Sequence, residues 1–121
     1  MILKDKFYTI KSFQFKENEL LAEITLNPND SIFEGHFPNN PITPGVVQLE
    51  IVKELLSLHY NKKVCLKSIS SCKYLAILNP EKSPIVLIRI SINQVEDDIR
   101  TTITFTSENT TFTKVNAFYY N

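Results

Sequence analysis

Gly35-His36-Phe37-Pro38-Asn39-Asn40-Pro41-Ile42-Thr43-Pro44-Gly45 runs without a break into Val46-Val47-Gln48-Leu49-Glu50, and the rest of the chain is read outward from this stretch. It holds both glycines of the 121-residue sequence, three of its six prolines and one of its two histidines. Glycine admits backbone conformations that a Cβ forbids, whereas proline fixes φ and removes a donor. A chain this sparing with glycine is shaping one loop. The loop holds a histidine at one end and feeds an apolar helix carrying a carboxylate, an arrangement suited to an active site.

The helix is the strongest element in the sequence. Thr43 is placed to cap it, Pro44 suits its first turn, and Gly45 lets another group approach the backbone closely. From Val46 to about Tyr60, apolar residues recur every third or fourth position: Val46, Val47, Leu49, Ile51, Val52, Leu55, Leu56 and Leu58. They cover more than one face, so the helix is expected to be largely buried.

The flanks read as strands. Phe7 to Phe15 and Leu20 to Leu26 alternate about the polar turn Lys16-Glu17-Asn18-Glu19 and predict a hairpin. After the helix, strands are expected from Val64 through Tyr74 to Leu78, over Ile85 to Ile92, over Arg100 to Thr106 with Ile103 and Phe105 inward, and over Phe112 to Tyr120. Asn79 to Pro84, Asp97-Asp98 and Glu108-Asn109 supply the turns. One long helix against a mainly antiparallel sheet is an α+β layer arrangement, and residues 1–121 are read as a single domain. A single sheet covers such a helix on one side only, which favours self-association.

Composition narrows the function classes. Hydrophobic residues make up 43% of the chain and charged ones 21%, which fits a globular protein and not a disordered one. Lys plus Arg and Asp plus Glu are equal at 13 each, so no overall basic field invites nucleic acid. No run approaches the roughly 20 apolar residues of a membrane span. The start, Met1 to Lys6, lacks a signal-peptide layout, which points to the cytoplasm. Cys65 and Cys72 form no metal-ligand cluster and are expected to be packing residues, and neither a metal nor another cofactor is expected.

The loop and helix together imply a chemistry. A histidine accepts a proton at neutral pH, and His36 is the candidate base. Glu50, flanked by Leu49 and Ile51, is expected in apolar surroundings, where desolvation raises a carboxyl pKa and makes it a proton donor. A base and an acid of separate roles facing one pocket suit removal of a proton and departure of a hydroxyl, the elimination of water. The unpaired amides near Gly45 and Val46, at the positive end of the helix dipole, suit the developing charge on a thioester oxygen. Phe33, Phe37, Val46 and Val47 would wall an acyl chain.

These residues resemble the signature of the hotdog-fold 3-hydroxyacyl-(acyl carrier protein) dehydratases. Gly35-His36-Phe37-Pro38, then Pro41, Pro44-Gly45-Val46 and finally Glu50, fourteen positions after the histidine, follow that family's order and spacing. Lys73-Tyr74 and Asn79-Pro80 fall where the family has its next strand and turn. The resemblance implies a hotdog fold, one long buried helix wrapped by a mainly antiparallel sheet. It implies His36 as base, Glu50 as acid, Gly45 as an oxyanion-hole amide, and Val46, Phe37 and Pro38 as substrate contacts. It further implies an acyl carrier protein as the substrate's bearer. Sites would be shared between subunits of a homodimer, a higher oligomer or a heterodimer. Three positions depart from the pattern. Asn39 replaces a common glycine, Thr43 replaces methionine or leucine, and Glu54 stands where glutamine is common. Glu54 is expected either to raise the Glu50 pKa or to point to solvent. The departures suggest a branch serving polyene-type synthesis and not bulk fatty acids.

Two other functions fit the same residues. A thioesterase on this fold would activate water with its acid, and a non-catalytic acyl-binding or partner subunit would keep the pocket without turnover. His59, near the helix end, suits the negative end of the dipole and is assigned no function. The cluster Phe112, Phe118, Tyr119 and Tyr120 is read as core and interface. Lys62, Lys63, Lys67, Lys73 and Lys82 are read as solvated charges, some of which could attract an acidic carrier.

Overall fold

In the computed structural model, which describes residues 2–35 and 41–121, one α-helix lies across a six-stranded antiparallel sheet. The elements are β1 (Tyr8–Lys16), β2 (Glu19–Leu26), a 3₁₀ turn (Ser31–Gly35), α1 (Gly45–Tyr60), β3 (Cys65–Tyr74), β4 (Ile85–Val95), β5 (Asp98–Ser107) and β6 (Thr110–Tyr120). Their order across the sheet is β1-β2-β4-β5-β6-β3. The strand that follows the helix therefore crosses to the far edge. This is the hotdog fold. Every expected strand is present, but Leu75 to Leu78 lie outside β3. The amides of Leu75 and Ala76 still reach β6, both bonding to the carbonyl of Phe112.

Period-two alternation builds the core. On β2, Leu20, Ala22, Ile24 and Leu26 are buried and their neighbours half-buried. Register carries the pattern across all six strands. One row pairs Phe15, Leu20, Ile90, Ile103, Val115 and Cys72 in sequence, and the next pairs Phe13, Ala22, Ile88, Phe105, Thr113 and Tyr74. The second row turns polar at Thr113 and Tyr74, at the β6–β3 end, and the helix begins above that end.

α1 buries a stripe of Val47, Gln48, Ile51, Val52, Leu55 and Leu56 against the sheet. Its opposite face, carrying Val46, Glu50, Lys53 and Ser57 at helical spacing, is exposed or half-buried. Burial is thus one-sided, narrower than the spread of apolar residues suggests. Thr43 does not cap the helix: Pro44 is the N-cap residue and no side chain bonds there. Among the described residues, no helix is long and apolar enough to cross a membrane.

Neither glycine uses a positive φ. The tight turns instead place Asp5, Glu17, Asn18, Asn61, Glu96 and Glu108 in the left-handed region. Asn61 ends α1 there, its amide bonding the carbonyl of Leu58 while that of Lys62 bonds Ser57. Glutamate has no local hydrogen bond to offset the Cβ clash of this conformation, which costs roughly 1 kcal/mol.

The segment before β1 is fastened to the helix by one carboxylate. Glu54 accepts the amides of Leu3 (2.7 Å) and Lys4 (3.0 Å) and the hydroxyl of Tyr8 (2.9 Å). It does not point to solvent. Leu3, Phe7 and Tyr8 are buried in consequence, and Phe7 stacks on Phe33 at 5.2 Å. Burial first, and then the bond to Glu54, push the Tyr8 hydroxyl well above its ordinary pKa of 10.0.

Two measurements follow from this frame. Glu108→Gly, relieving a left-handed glutamate, should raise the unfolding free energy by about 0.5–1 kcal/mol in chemical denaturation. Tyr8→Phe should lower it by about 1.5 kcal/mol, since it removes a hydrogen bond to a charged acceptor. The pH dependence has a fixed sign. The folded chain holds the Tyr8 proton more tightly than the unfolded chain, so this stability is whole below pH 10 and lost above it. Tyr8→Phe should therefore flatten the alkaline decline, leaving the part due to the other groups whose pKa is raised in the fold, Tyr60, Lys67, Tyr74 and Tyr119.

Candidate functional site

The start of α1 is pinned from three sides. The Thr43 amide bonds the carbonyl of Leu78 at 2.9 Å, tying the preceding loop to the segment after β3. The side-chain amide of Gln48 donates to the carbonyl of Thr43 at 3.3 Å, and its oxygen accepts the hydroxyl of Thr113 on β6. Gln48 is buried, and these bonds satisfy it where an apolar residue would otherwise be expected. Sequence reasoning passed over Gln48. The signal was there, a lone amide on the stripe that also carries Ile51, Val52 and Leu55.

Gly45 serves space and not conformation. A Cβ there would overlap the hydroxyl and ring of Tyr74, which lie against the first turn of the helix. Tyr74 is half exposed, and burial followed by its bond with Cys72 pushes its hydroxyl up to about 12. Beside this contact lies a cavity of about 320 Å³ lined by Ile42, Thr43, Pro44, Gly45, Gln48 and Tyr74–Leu78. Its wall is mainly apolar. The first amides of a helix have no intrahelical partner, so those of Gly45 and Val46 are available to a ligand at its edge. The hydroxyl of Thr43, a residue only 3% exposed, has no hydrogen-bond partner among the described residues.

Glu50 stands on the face of α1 turned away from the sheet. Its side chain is 23% exposed, and an oxygen lies 3.8 Å from the ammonium of Lys53. Its surroundings are less apolar than Leu49 and Ile51 suggest, because those two neighbours lie on other faces of the helix. It also lines a groove of about 680 Å³ with Lys4, Lys53, Lys62, Lys63 and Leu58. Burial first, and then the Glu50 carboxylate, push the hydroxyl of the buried Tyr119 up to about 12. Val46 points outward, 76% exposed. Phe33 and Val47, expected in the pocket wall, are instead buried core residues. His36, Phe37, Pro38 and Asn39 lie outside the described residues, so the expected pairing of His36 with Glu50 stays an expectation.

The remaining candidates take ordinary roles. His59 packs on Phe15 at 4.4 Å and edge-on against Tyr60 at 4.9 Å. Lys67 is committed to Asp98 at 2.9 Å. Cys65 and Cys72 are free, and Cys65 is exposed on the edge strand, so it does not pack as expected. Phe112 and Tyr119 are buried, whereas Tyr120 is exposed beneath Lys67.

Comparison with known proteins agrees with this fold. The chain is 26% identical over 106 residues to the 3-hydroxyacyl-(acyl-carrier-protein) dehydratase FabZ of Latilactobacillus sakei, a match covering 82% of this chain and 71% of that one. It is 38% identical over 50 residues to FabZ of Lactococcus lactis, covering 41% of this chain and only 33% of that one. Among solved structures, the dehydratase heterocomplex ApeI:P from Xenorhabdus doucetiae superposes with a TM-score of 0.79 at 20% identity, covering 93% of this chain and 97% of that one. A putative thioesterase from Shewanella oneidensis shares the fold at a TM-score of 0.55 and 13% identity, over 94% of this chain and 82% of that one. A family model described as ApeI-like, ApeI dehydratase, matches residues 12–116. With the match spanning nearly the whole sheet and the entire helix, the chain belongs to the ApeI-like dehydratase family.

Proposed function

We propose that this protein removes water from a 3-hydroxyacyl thioester borne on an acyl carrier protein, giving the trans-2-enoyl thioester, in fatty-acid or polyene-type synthesis. The observation that carries this reading is the mainly apolar cavity that opens at the N-terminus of α1, in a chain of a dehydratase family. His36 takes the proton from C2. The electron pair moves toward the thioester carbonyl, whose oxygen is held by the amides of Gly45 and Val46. Collapse of the enolate expels the C3 hydroxyl, which Glu50 protonates, and water leaves. No redox change occurs, and the residues of the chain suffice for each proton transfer.

Glu50 faces away from its own sheet, so the acid needs a second wall opposite it. We assign that wall to another hotdog chain, identical or complementary, paired through the free edge of β3. Leu66 and Ile69 are exposed along that strand at 41% and 38%, which supports an edge that is covered in use. Lys4, Lys53, Lys62 and Lys63 around the groove beside Glu50 suit an acidic carrier, delivered in the cytoplasm.

The test is incubation of the purified protein with 3-hydroxyacyl thioesters of several lengths on a carrier protein, followed by mass spectrometry. Loss of one water is expected; release of free acid would make the protein a thioesterase, and no reaction would leave a partner subunit. His36→Ala and Glu50→Gln should each lower turnover by roughly 100-fold or more while the thermal midpoint is kept. Gly45→Ala separates fold from function. Its Cβ displaces only the half-exposed ring of Tyr74, and alanine favours a helix, so stability should change by less than about 1 kcal/mol. Dehydration should nonetheless fall, because the same Cβ fills the space a carbonyl oxygen needs.

A further inference from the structure

Tyr74 stands where a ligand would have to go. It is the last residue of β3, and its hydroxyl and ring lie so close to Gly45 that a Cβ there would overlap both. Side chains of a helix tilt toward its N-terminus, the end into which its first amides also point. The space over Gly45 is therefore the approach to its amide, and in this structure a phenol fills it. The same residue lines the mainly apolar cavity of about 320 Å³ beside α1, together with Ile42, Pro44 and Ile77.

Little holds the ring in that place. Tyr74 is 52% exposed, and its hydroxyl is bonded to Cys72, two residues back on the same face of β3, whose thiol is a weak partner. The backbone, by contrast, is held. Tyr74 pairs with Thr113 on β6, and the next two amides share the carbonyl of Phe112. The side chain can thus turn outward about χ1 while the wall behind it stays. A carbonyl oxygen and a phenol cannot share one space. Resting on the dehydratase reading above, we infer that Tyr74 is the gate of the thioester site: its ring covers Gly45 until an acyl thioester enters and swings it out toward solvent. Such a gate weakens binding according to the fraction of chains in which it stands open. It takes no part in the proton transfers that follow, because by then the ring has left.

The experiment follows the ring itself. Labelling with 3-fluorotyrosine gives one fluorine signal for each of the five tyrosines, and Tyr74→Phe identifies that of residue 74 by its loss. Titration with a 3-hydroxyacyl thioester on a carrier protein should move this signal toward the position of a solvent-exposed fluorotyrosine. In steady-state kinetics, Tyr74→Ala should lower KM by about three- to tenfold with kcat within about twofold, because no ring has to be displaced. Tyr74→Phe keeps the ring and loses only the bond to Cys72, so its KM should fall by less. A signal of residue 74 that stays in place at saturating thioester would overturn the inference. A folded Tyr74→Ala protein with KM equal to or above that of wild type would overturn it too, and would make the ring a fixed wall of the site. Should Tyr74→Ala fail to fold, the fluorine titration of wild type decides alone. A protein that binds the thioester with the signal moved, yet dehydrates none, would uphold the gate and overturn the dehydratase reading. One that neither binds nor dehydrates it would overturn both.

Discussion

The buried amide of Gln48 fixes where the helix begins relative to the sheet. A helix lying on an apolar sheet face is held by non-directional burial, which resists sliding only weakly along a row of similar side chains. Gln48 supplies direction. Its oxygen takes the hydroxyl of Thr113 on β6, and its nitrogen gives to the carbonyl of Thr43 in the loop. Because a buried amide left unpaired is costly, one position of α1 along the sheet is favoured over its neighbours. The placement of Gly45, the cavity and Glu50 depends on that choice.

From this anchor the two faces of the helix divide their tasks. The stripe through Val47, Ile51, Val52, Leu55 and Leu56 holds the sheet, while Glu54 holds the residues before β1. Glu50, four residues before Glu54, belongs to neither contact. It stands over a groove edged with lysines, and its ion pair with Lys53 is long and partly solvated, which contributes little to stability. A carboxylate that the fold does not need is free for chemistry. The neighbouring Glu54, bonded three times, is not.

The architecture was legible wherever side-chain period alone decides structure. Leu20 to Leu26 and Arg100 to Thr106 alternate cleanly because one face is buried, and residues 46–60 repeat at helical spacing against that same face. What failed to show was pairing that depends on distant partners. The Glu54 carboxylate was open to two readings, acting on Glu50 or pointing to solvent, because Leu3, Lys4 and Tyr8, about fifty residues away, give no local sign of reaching it. Phe33 and Val47 looked like pocket wall because apolar residues near a site cannot be told from core by type. Thr43 looked like a cap, but Pro44 took that position. The turns were visible as polar clusters, yet nothing announced that three glutamates would adopt left-handed backbone. Of the site, the place of Gly45 at the start of the helix was legible; Gln48 and Tyr74 were not, and His36 lies outside the described residues.

Local rules are broken mostly in one small region. Elsewhere the buried side-chain polar atoms among the described residues are paired, and the departures are the left-handed glutamates of the exposed turns and a few register shifts between strands. Around the first turn of α1, a threonine hydroxyl is buried without a partner among the described residues, and a tyrosine ring crowds a glycine. Each of these features could be relaxed by a single substitution. Valine in place of Thr43 would remove the unpaired hydroxyl, and a smaller residue at 74 would open the space above Gly45. Sequences that fold well agree with themselves at every level, and departures concentrate where something other than folding sets the residue. Thr43, Gly45 and Tyr74 share one cavity wall, beside the start of α1, which is where a demand other than folding would act.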